Sequence, residues 1–155
     1  AVGFSAGGHL VSLMGSTDKK SKLEGPGHLD QSSRVQAVAS FFGPTDFIRK
    51  KWTNQVENFF LVPFFGGSYE KKKDLYKQAS PIYHVTKDDP PYIFFHGDKE
   101  TLVGLYNSVD MANALKKVGV SAEVVVMKGS GHGWAGKKRQ ESFERTLKFF
   151  RAKLK

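Results

Sequence analysis

The chain has 155 residues, a formal net charge of +9 and no cysteine. This length corresponds to about one domain, and the lack of cysteine excludes disulfides and thiolate metal sites. No apolar run approaches the roughly 20 residues of a membrane-spanning helix. Basic clusters occur at 49–51, at 71–73 and at the C-terminus, but no nucleic-acid-binding motif accompanies them. We therefore interpret the charge as a solvated surface and expect no nucleic-acid partner.

Strand-like and helix-like segments alternate along the sequence, which predicts an α/β fold with a mostly parallel sheet flanked by helices. The segment GGHLVSLMGS near the N-terminus predicts a short buried helix. Apolar or β-rich segments predict about three strands, at 34–42, 91–97 and 122–127. The second of these is a continuous apolar run between Pro-Pro and Gly, as expected for a strand that is covered on both faces.

Two later segments carry apolar residues at helical spacing. NSVDMANALKKVGV predicts a helix that ends at Gly119. The C-terminal segment ESFERTLKFFRAKLK predicts a packed amphipathic helix with a lysine-rich outer face. Its apolar stripe consists of Phe143, Leu147, Phe150 and Leu154.

A long excursion, at 45–89, separates the first two predicted strands and is rich in aromatic residues. Long excursions between core elements are often lids or binding loops. For most single rings, however, we expect only packing of the excursion onto the core. No linker or low-complexity stretch divides the chain, so we predict a single domain over residues 1–155.

The chain begins with AVGFSAGGHL, in which Gly3, Ser5 and Gly7 form a Gly-x-Ser-x-Gly pattern. Small residues around the serine allow a tight turn from strand to helix that exposes the hydroxyl. The helix N-terminus favours developing negative charge, and the N–H of Ala6 is then placed to serve as an oxyanion donor. The pattern alone is a weak indication, because glycine and serine are common in loops.

A serine nucleophile needs a base, and in α/β-hydrolases the order along the chain is Ser, then the acid, then His. Among five histidines, only His132 lies in a loop after the last predicted strand, within GSGHGW. His9 is too close along the helix to turn back to Ser5, and His96 at a strand end is assigned a structural hydrogen-bonding role. Two further histidines are interpreted as surface residues: His28 and His84.

The acid should follow the strand YIFFHG, where three carboxylates are available. Asp110 belongs to the next helix. Asp98 directly follows the turn glycine, where it can brace the loop, and Glu100 lies far enough along the loop to curve toward His132. Either carboxylate can orient an imidazole and stabilise its cation, so Asp98 and Glu100 both remain candidates.

In these segments the chain resembles the C-terminal part of a serine esterase or lipase of the α/β-hydrolase superfamily, in the acetyl-xylan and feruloyl esterase-like branch. The resemblance extends over GFSAGGHL, SFFGPTDF, QASPIYHVTKDDPPYIFFHGDKE and ALKKVGVSAEVVVMKGSGHGW. It implies Ser5 as the nucleophile, Glu100 as the acid and His132 as the base, with neither cofactor nor metal. The chain departs from the family at Glu100, where Asp is usual, and at Val103-Gly104, where Val-Pro is common.

The resemblance implies a serine carboxylesterase that hydrolyses small esters with short acyl groups, including acylated plant carbohydrates. A serine peptidase of the prolyl-oligopeptidase type shares the motif order and is the alternative enzyme. A non-catalytic module that binds a partner or an acidic polymer through its basic face is the alternative outside enzymes.

The family places several strands and a second oxyanion donor before the serine elbow. We therefore expect residues 1–155 to be an incomplete α/β-hydrolase domain with no strand before the elbow. In that arrangement the strand at 34–42 lies at an open sheet edge, which favours self-association or pairing with an N-terminal segment. We also expect the chain alone to be a weak or inactive esterase, because one lost oxyanion donor costs roughly 10² to 10³ in turnover.

Overall fold

A computed structural model describes residues 1–48 and 52–154 and contains one sheet of four parallel strands. Neighbouring strands in the sheet follow chain order, and helices or long connections lie between them. The predicted α/β class with a parallel sheet is therefore confirmed. The strands are β1 (Val2–Phe4), β2 (Val38–Phe41), β3 (Tyr92–Gly97) and β4 (Ala122–Met127).

The sheet has one more strand than the sequence predicted, because β1 directly precedes the serine turn and pairs with β2. The expectations that no strand precedes the elbow and that 34–42 lies at the edge are therefore wrong. β2 lies inside the sheet and is buried at all four positions. Among the described residues no strand pairs with the outer edge of β1, whose Val2 and Phe4 are almost half exposed. A three-residue strand is too short to show an alternating pattern in the sequence.

The helices predicted after the elbow and before Gly119 are both confirmed. A π-helical stretch, Glu57–Leu61, joins two short helices of the excursion, and 3-10 turns occur at Lys19–Ser21 and Pro81–Tyr83. The α-helices are α1 (Ala6–Ser16), α2 (Asn54–Val56), α3 (Val62–Phe65), α4 (Tyr69–Gln78), α5 (Tyr106–Lys117) and α6 (Gly136–Lys153). None of these helices is both long enough and apolar enough to cross a membrane.

Both faces of the sheet are covered, each by its own hydrophobic cluster. On one face Val38 and Phe94 pack with residues of α1 and α5. On the other face Phe41 and Phe95 pack with α6. Side chains alternate between the two faces of a strand, so burial on both faces explains the continuous apolar run of β3, which is buried throughout as predicted.

The C-terminal helix α6 forms as predicted, but most of its apolar stripe is not buried. Its buried residues are Ser142 and Thr146, and Phe150 is only partly buried against the sheet cluster. The prediction that the stripe packs is therefore wrong for three of its four members. Each of these three side chains is at least 44% exposed: Phe143, Leu147 and Leu154.

The excursion has a small hydrophobic cluster of its own, built around Phe47, Phe65 and Tyr76. The rings thus pack largely on one another, while Phe59 and Phe60 stay exposed. The basic cluster at 49–51 lies outside the described residues. The cluster at 71–73 lies on α4 and is exposed, which agrees with its interpretation as a solvated surface.

Candidate active site

Ser5 lies at the turn between β1 and α1 and has a strained backbone. Its φ of 50° and ψ of −117° lie outside the regions that residues with a side chain normally adopt. The turn is held on both sides, because Ser5 N donates to Phe41 O (2.9 Å) and Ser5 O accepts from His9 N (3.0 Å). Gly3 is needed because a Cβ there would lie less than 3.0 Å from the carbonyl oxygen of Gly7.

The side chain of Ser5 makes no capping bond to α1. Its Oγ lies instead 2.8 Å from Nε2 of His132, although 127 residues separate the two in sequence. Nδ1 of His132 lies 2.5 Å from Oε2 of Glu100. An ionised carboxylate can only accept, so Nδ1 carries the proton and Nε2 is free to accept the hydrogen of the serine hydroxyl. The fold therefore brings together Ser5, His132 and Glu100.

The loop backbone fixes the carboxylate of Glu100. Its second oxygen, Oε1, accepts from the backbone N–H groups of Leu102 (2.6 Å) and Val103 (3.2 Å). The side chain of Glu100 is 1% exposed, whereas that of His132 is 29% exposed. A rigid buried carboxylate thus orients an imidazole that remains accessible to a substrate.

The other two candidate carboxylates lie elsewhere. Asp98 Oδ1 accepts from Gly129 N (2.6 Å) and so joins the loops that follow β3 and β4. Asp110 lies within α5. Of the two carboxylates that the sequence left open, Glu100 is therefore the one beside His132, and Asp98 braces the loop.

His96 is fully buried at the end of β3 and supports the loop that carries Glu100. Its Nε2 lies 2.6 Å from Val103 O, and its Nδ1 lies 2.8 Å from Ser108 Oγ. Because a carbonyl oxygen only accepts, Nε2–H donates and Nδ1 accepts from the hydroxyl. Burial lowers the pKa of His96, so the neutral form is favoured. The predicted structural hydrogen-bonding role is confirmed.

Of the remaining three histidines, two have hydrogen-bond partners other than Ser5. His9 is buried, with Nε2 2.7 Å from Ala79 O, and burial lowers its pKa as well. His28 is exposed, and His84 Nε2 lies 2.7 Å from Gln78 O. In the described part of the chain, no group of three or more His, Asp or Glu residues has the arrangement of a metal site.

An apolar cavity of about 360 Å³ opens beside Ser5. Its wall is formed by residues of α1, of the excursion and of the loop after β3. Its polar side chains include those of Ser5 and His9. Ala6, the first residue of α1, also borders the cavity, and the N–H groups of a first helical turn have no acceptor within the helix. Further wall residues are Leu10, Trp52, Phe60, Leu61 and Leu102.

One further residue of the site, Phe42, was not predicted from the sequence. Its ring centroid lies 4.7 Å from that of His132, and its φ is 40°. The sequence does not signal this contact, because Phe42 reads as the last residue of a strand.

The chain is similar to known esterases in sequence. It is 31% identical over 121 residues to the probable carboxylic ester hydrolase LipM of Mycobacterium tuberculosis. This match covers 75% of the chain but 27% of LipM, so the chain spans about a quarter of that relative.

Solved structures of esterases have a similar fold. A truncated form of a carbohydrate esterase from gut microbiota superimposes with a TM-score of 0.85 at 28% identity, covering 98% of this chain and 58% of that one. A thermophilic esterase from the Planctomycetes species Thermogutta terrifontis superimposes with a TM-score of 0.75 at 28% identity, covering 97% and 54%. The BD-FAE family model matches residues 1–115, a range that contains both Ser5 and Glu100. This chain therefore belongs to the BD-FAE family.

Proposed function

We propose that the chain carries the catalytic residues of a serine carboxylesterase. The observation that supports this most strongly is the hydrogen-bonded series from Ser5 Oγ to His132 (2.8 Å) and from His132 to Glu100 (2.5 Å). Hydrogen bonds of this length place a nucleophile within reach of its base and the base within reach of a group that orients it.

In the proposed reaction, Ser5 Oγ attacks the ester carbonyl carbon while Nε2 of His132 takes the hydroxyl proton. The imidazolium then gives this proton to the leaving alkoxide, so the alcohol departs and an acyl-serine remains. A water attacks the acyl carbon, His132 accepts its proton and returns it to Ser5, and the carboxylic acid leaves. Glu100 keeps the imidazole in one tautomer and stabilises its cation throughout.

The N–H of Ala6 is the proposed oxyanion donor. It belongs to the first turn of α1, where N–H groups are unsatisfied within the helix and where the helix dipole favours negative charge. Ala6 also borders the cavity beside Ser5. A carbonyl oxygen that becomes negative during attack by Ser5 would then lie next to this donor.

The composition of the cavity wall supports the proposal that the substrates are esters with an apolar acyl or aryl group. Because its wall is almost entirely apolar, binding would depend on burial of apolar surface, with few hydrogen bonds. An acetyl group occupies little of a space of about 360 Å³, whereas an aromatic acyl group occupies much more. Acetylated and feruloylated plant carbohydrates are the proposed natural substrates, in agreement with the similarity to a carbohydrate esterase.

The open edge of β1 supports the proposal that the chain associates with another chain or with an N-terminal segment. Val2 and Phe4 are exposed along this edge, and the exposed Phe143 of α6 lies next to Phe4 with 6.1 Å between ring centroids. An unpaired strand beside exposed apolar side chains favours pairing with another strand.

The function is tested by hydrolysis of p-nitrophenyl acetate, a feruloyl ester and a proline-containing anilide. We expect slow hydrolysis of the esters by this chain, and Ser5→Ala and His132→Ala should each remove nearly all of it. The double variant should lose little more, because the members of a triad act as a unit. The exposed residues Ser121 and His28 provide matched controls as Ser121→Ala and His28→Ala.

Ester hydrolysis that persists in Ser5→Ala would overturn the proposal. Preferential cleavage of the anilide would identify a peptidase instead. Failure of Ser5 to react with a fluorophosphonate would identify a binding module.

A further inference from the structure

We propose that Phe42 is a positioning residue that holds the imidazole of His132 between Ser5 and Glu100. The inference rests on the proposed function, in which His132 is the base. It is carried by the backbone conformation of Phe42, by the position of its ring and by the exposure of the imidazole.

The ring of Phe42 lies on the opposite face of the sheet from the one that a regular strand would give it. Along β2, Phe41 packs in the cluster under α6, and Val38 packs in the cluster under α1 and α5. Alternation therefore predicts that Phe42 faces the side of Val38. Its φ of 40° turns the ring to the side of Phe41 instead. A bulky residue rarely adopts this left-handed conformation, and such strain tends to occur at functional sites.

This backbone conformation puts the ring against the imidazole. The centroids of Phe42 and His132 are 4.7 Å apart, with an interplanar angle of 61° in an edge arrangement. The ring also contacts Trp134, at 5.4 Å. Phe42 N donates to Phe95 O (2.7 Å), and the residue is 8% exposed. These contacts therefore hold the ring of Phe42 in one position at the end of β2.

The imidazole needs a fixed neighbour because its two hydrogen bonds do not hold it throughout the reaction. Glu100 holds Nδ1, but the bond from Nε2 to Ser5 Oγ is lost once the serine oxygen bonds to the acyl carbon, and the imidazole can then rotate about its side-chain bonds. The neighbouring residue, Gly133, has a φ of 105° and has no side chain that could pack against the imidazole. Contact with Phe42 blocks the rotation and keeps Nε2 directed at Ser5 Oγ.

Loss of the ring should lower turnover without weakening substrate binding. A misplacement of about 1 Å at a reacting group can cost roughly 10² in rate. We therefore expect Phe42→Ala to lower kcat on p-nitrophenyl acetate by about 10- to 100-fold. KM should stay unchanged, because Phe42 is not part of the cavity wall. The rate at which a fluorophosphonate labels Ser5 should fall by the same factor.

Further variants at the same position separate catalysis from folding. Phe42→Gly removes the ring and also relieves the strained φ, so kcat should fall as in Phe42→Ala while the protein is more stable than that variant. Phe42→Tyr keeps the ring and should keep kcat, whereas Phe42→Leu keeps apolar bulk and should lower it. If Phe42→Ala does not fold, the comparison of Tyr with Leu decides.

Phe150→Ala is the matched control, because Phe150 packs against the same cluster through a ring that contacts Phe149. It should lower the stability and leave kcat unchanged. Wild-type kcat in Phe42→Ala and Phe42→Gly, or an equal loss in Phe150→Ala, would overturn the inference. The proposed function would survive either result as long as Ser5→Ala is inactive, and it would fail independently if Ser5→Ala still hydrolysed esters.

Discussion

Replacing Glu100 by Gln should invert the proton arrangement of His132. The backbone N–H groups of Leu102 and Val103 point at Oε1, so the amide oxygen of a Gln must take that place. The amide NH₂ then faces Nδ1 of His132 and donates to it. An imidazole that accepts at Nδ1 carries its proton on Nε2, and it can no longer accept a proton from Ser5.

The magnitude follows from this loss of the correct tautomer. An amide in place of a buried triad carboxylate lowers kcat by about 10⁴ in a serine protease, which corresponds to about 5.4 kcal/mol of transition-state stabilisation. Because the side chain of Glu100 is 1% exposed, water has little access to replace the lost contact. We expect a similar factor for Glu100→Gln, with little change in KM.

The matched control is Asp98→Asn, which makes the same chemical change two residues earlier. An Asn oxygen can still accept from Gly129 N, so this variant should lose about 1 kcal/mol of stability or less and keep its turnover. Steady-state hydrolysis of p-nitrophenyl acetate and urea unfolding measure the two effects. If Asp98→Asn lost more turnover than Glu100→Gln, the assignment of the acid to Glu100 would be refuted.

Three further predictions concern the elbow, the buried histidines and the sheet edge. Gly3→Ala should destabilise the fold by about 1 to 3 kcal/mol, because the added Cβ has no space. Gly7→Ala places its Cβ in open space and should be neutral or stabilising. Thermal unfolding of the two variants measures the difference. Burial lowers the pKa values of His96 and His9 below 6.5, so the unfolded chain binds more protons in acid. The contribution of these two histidines to the free energy of unfolding should therefore be complete above pH 6.5. It should fall as the pH drops through the folded pKa values, by up to about 1.4 kcal/mol per pH unit for each histidine. A constant urea midpoint between pH 7 and 5 would contradict this. Val2→Lys should reduce self-association in sedimentation experiments, because a lysine on an open edge opposes strand pairing; an unchanged mass distribution would argue against pairing through β1.

The main elements of the fold could be predicted from the sequence because their signals are local. The continuous apolar run of β3 and the helical spacing of α5 are determined by the residues within each segment. β1 was missed because three residues are too few to show a period, and its pairing with β2 depends on contacts 37 positions apart, from Val2 to Ala39. The burial of α6 was mispredicted because periodicity shows which residues share a face, but not which face the sheet covers.

The candidate site, too, could be predicted from the sequence only in part. Motif order selected Ser5 and His132, and loop length favoured Glu100 over Asp98 without deciding between them. The choice of Glu100 depends on contacts in three dimensions. These are the hydrogen bonds from two backbone N–H groups to its carboxylate, and the sequence does not show them. Phe42 could not be found from the sequence, because its position depends on a left-handed φ that the surrounding residue types do not indicate.

The most direct test of the account is to identify the residue that a fluorophosphonate modifies. The chain is treated with the reagent at several pH values, digested and analysed by peptide mass spectrometry. We expect one adduct, on Ser5, that is absent from Ser5→Ala and forms much more slowly in His132→Ala. An adduct on a different residue, or an unchanged labelling rate in His132→Ala, would contradict the assignment of Ser5 and His132 as nucleophile and base.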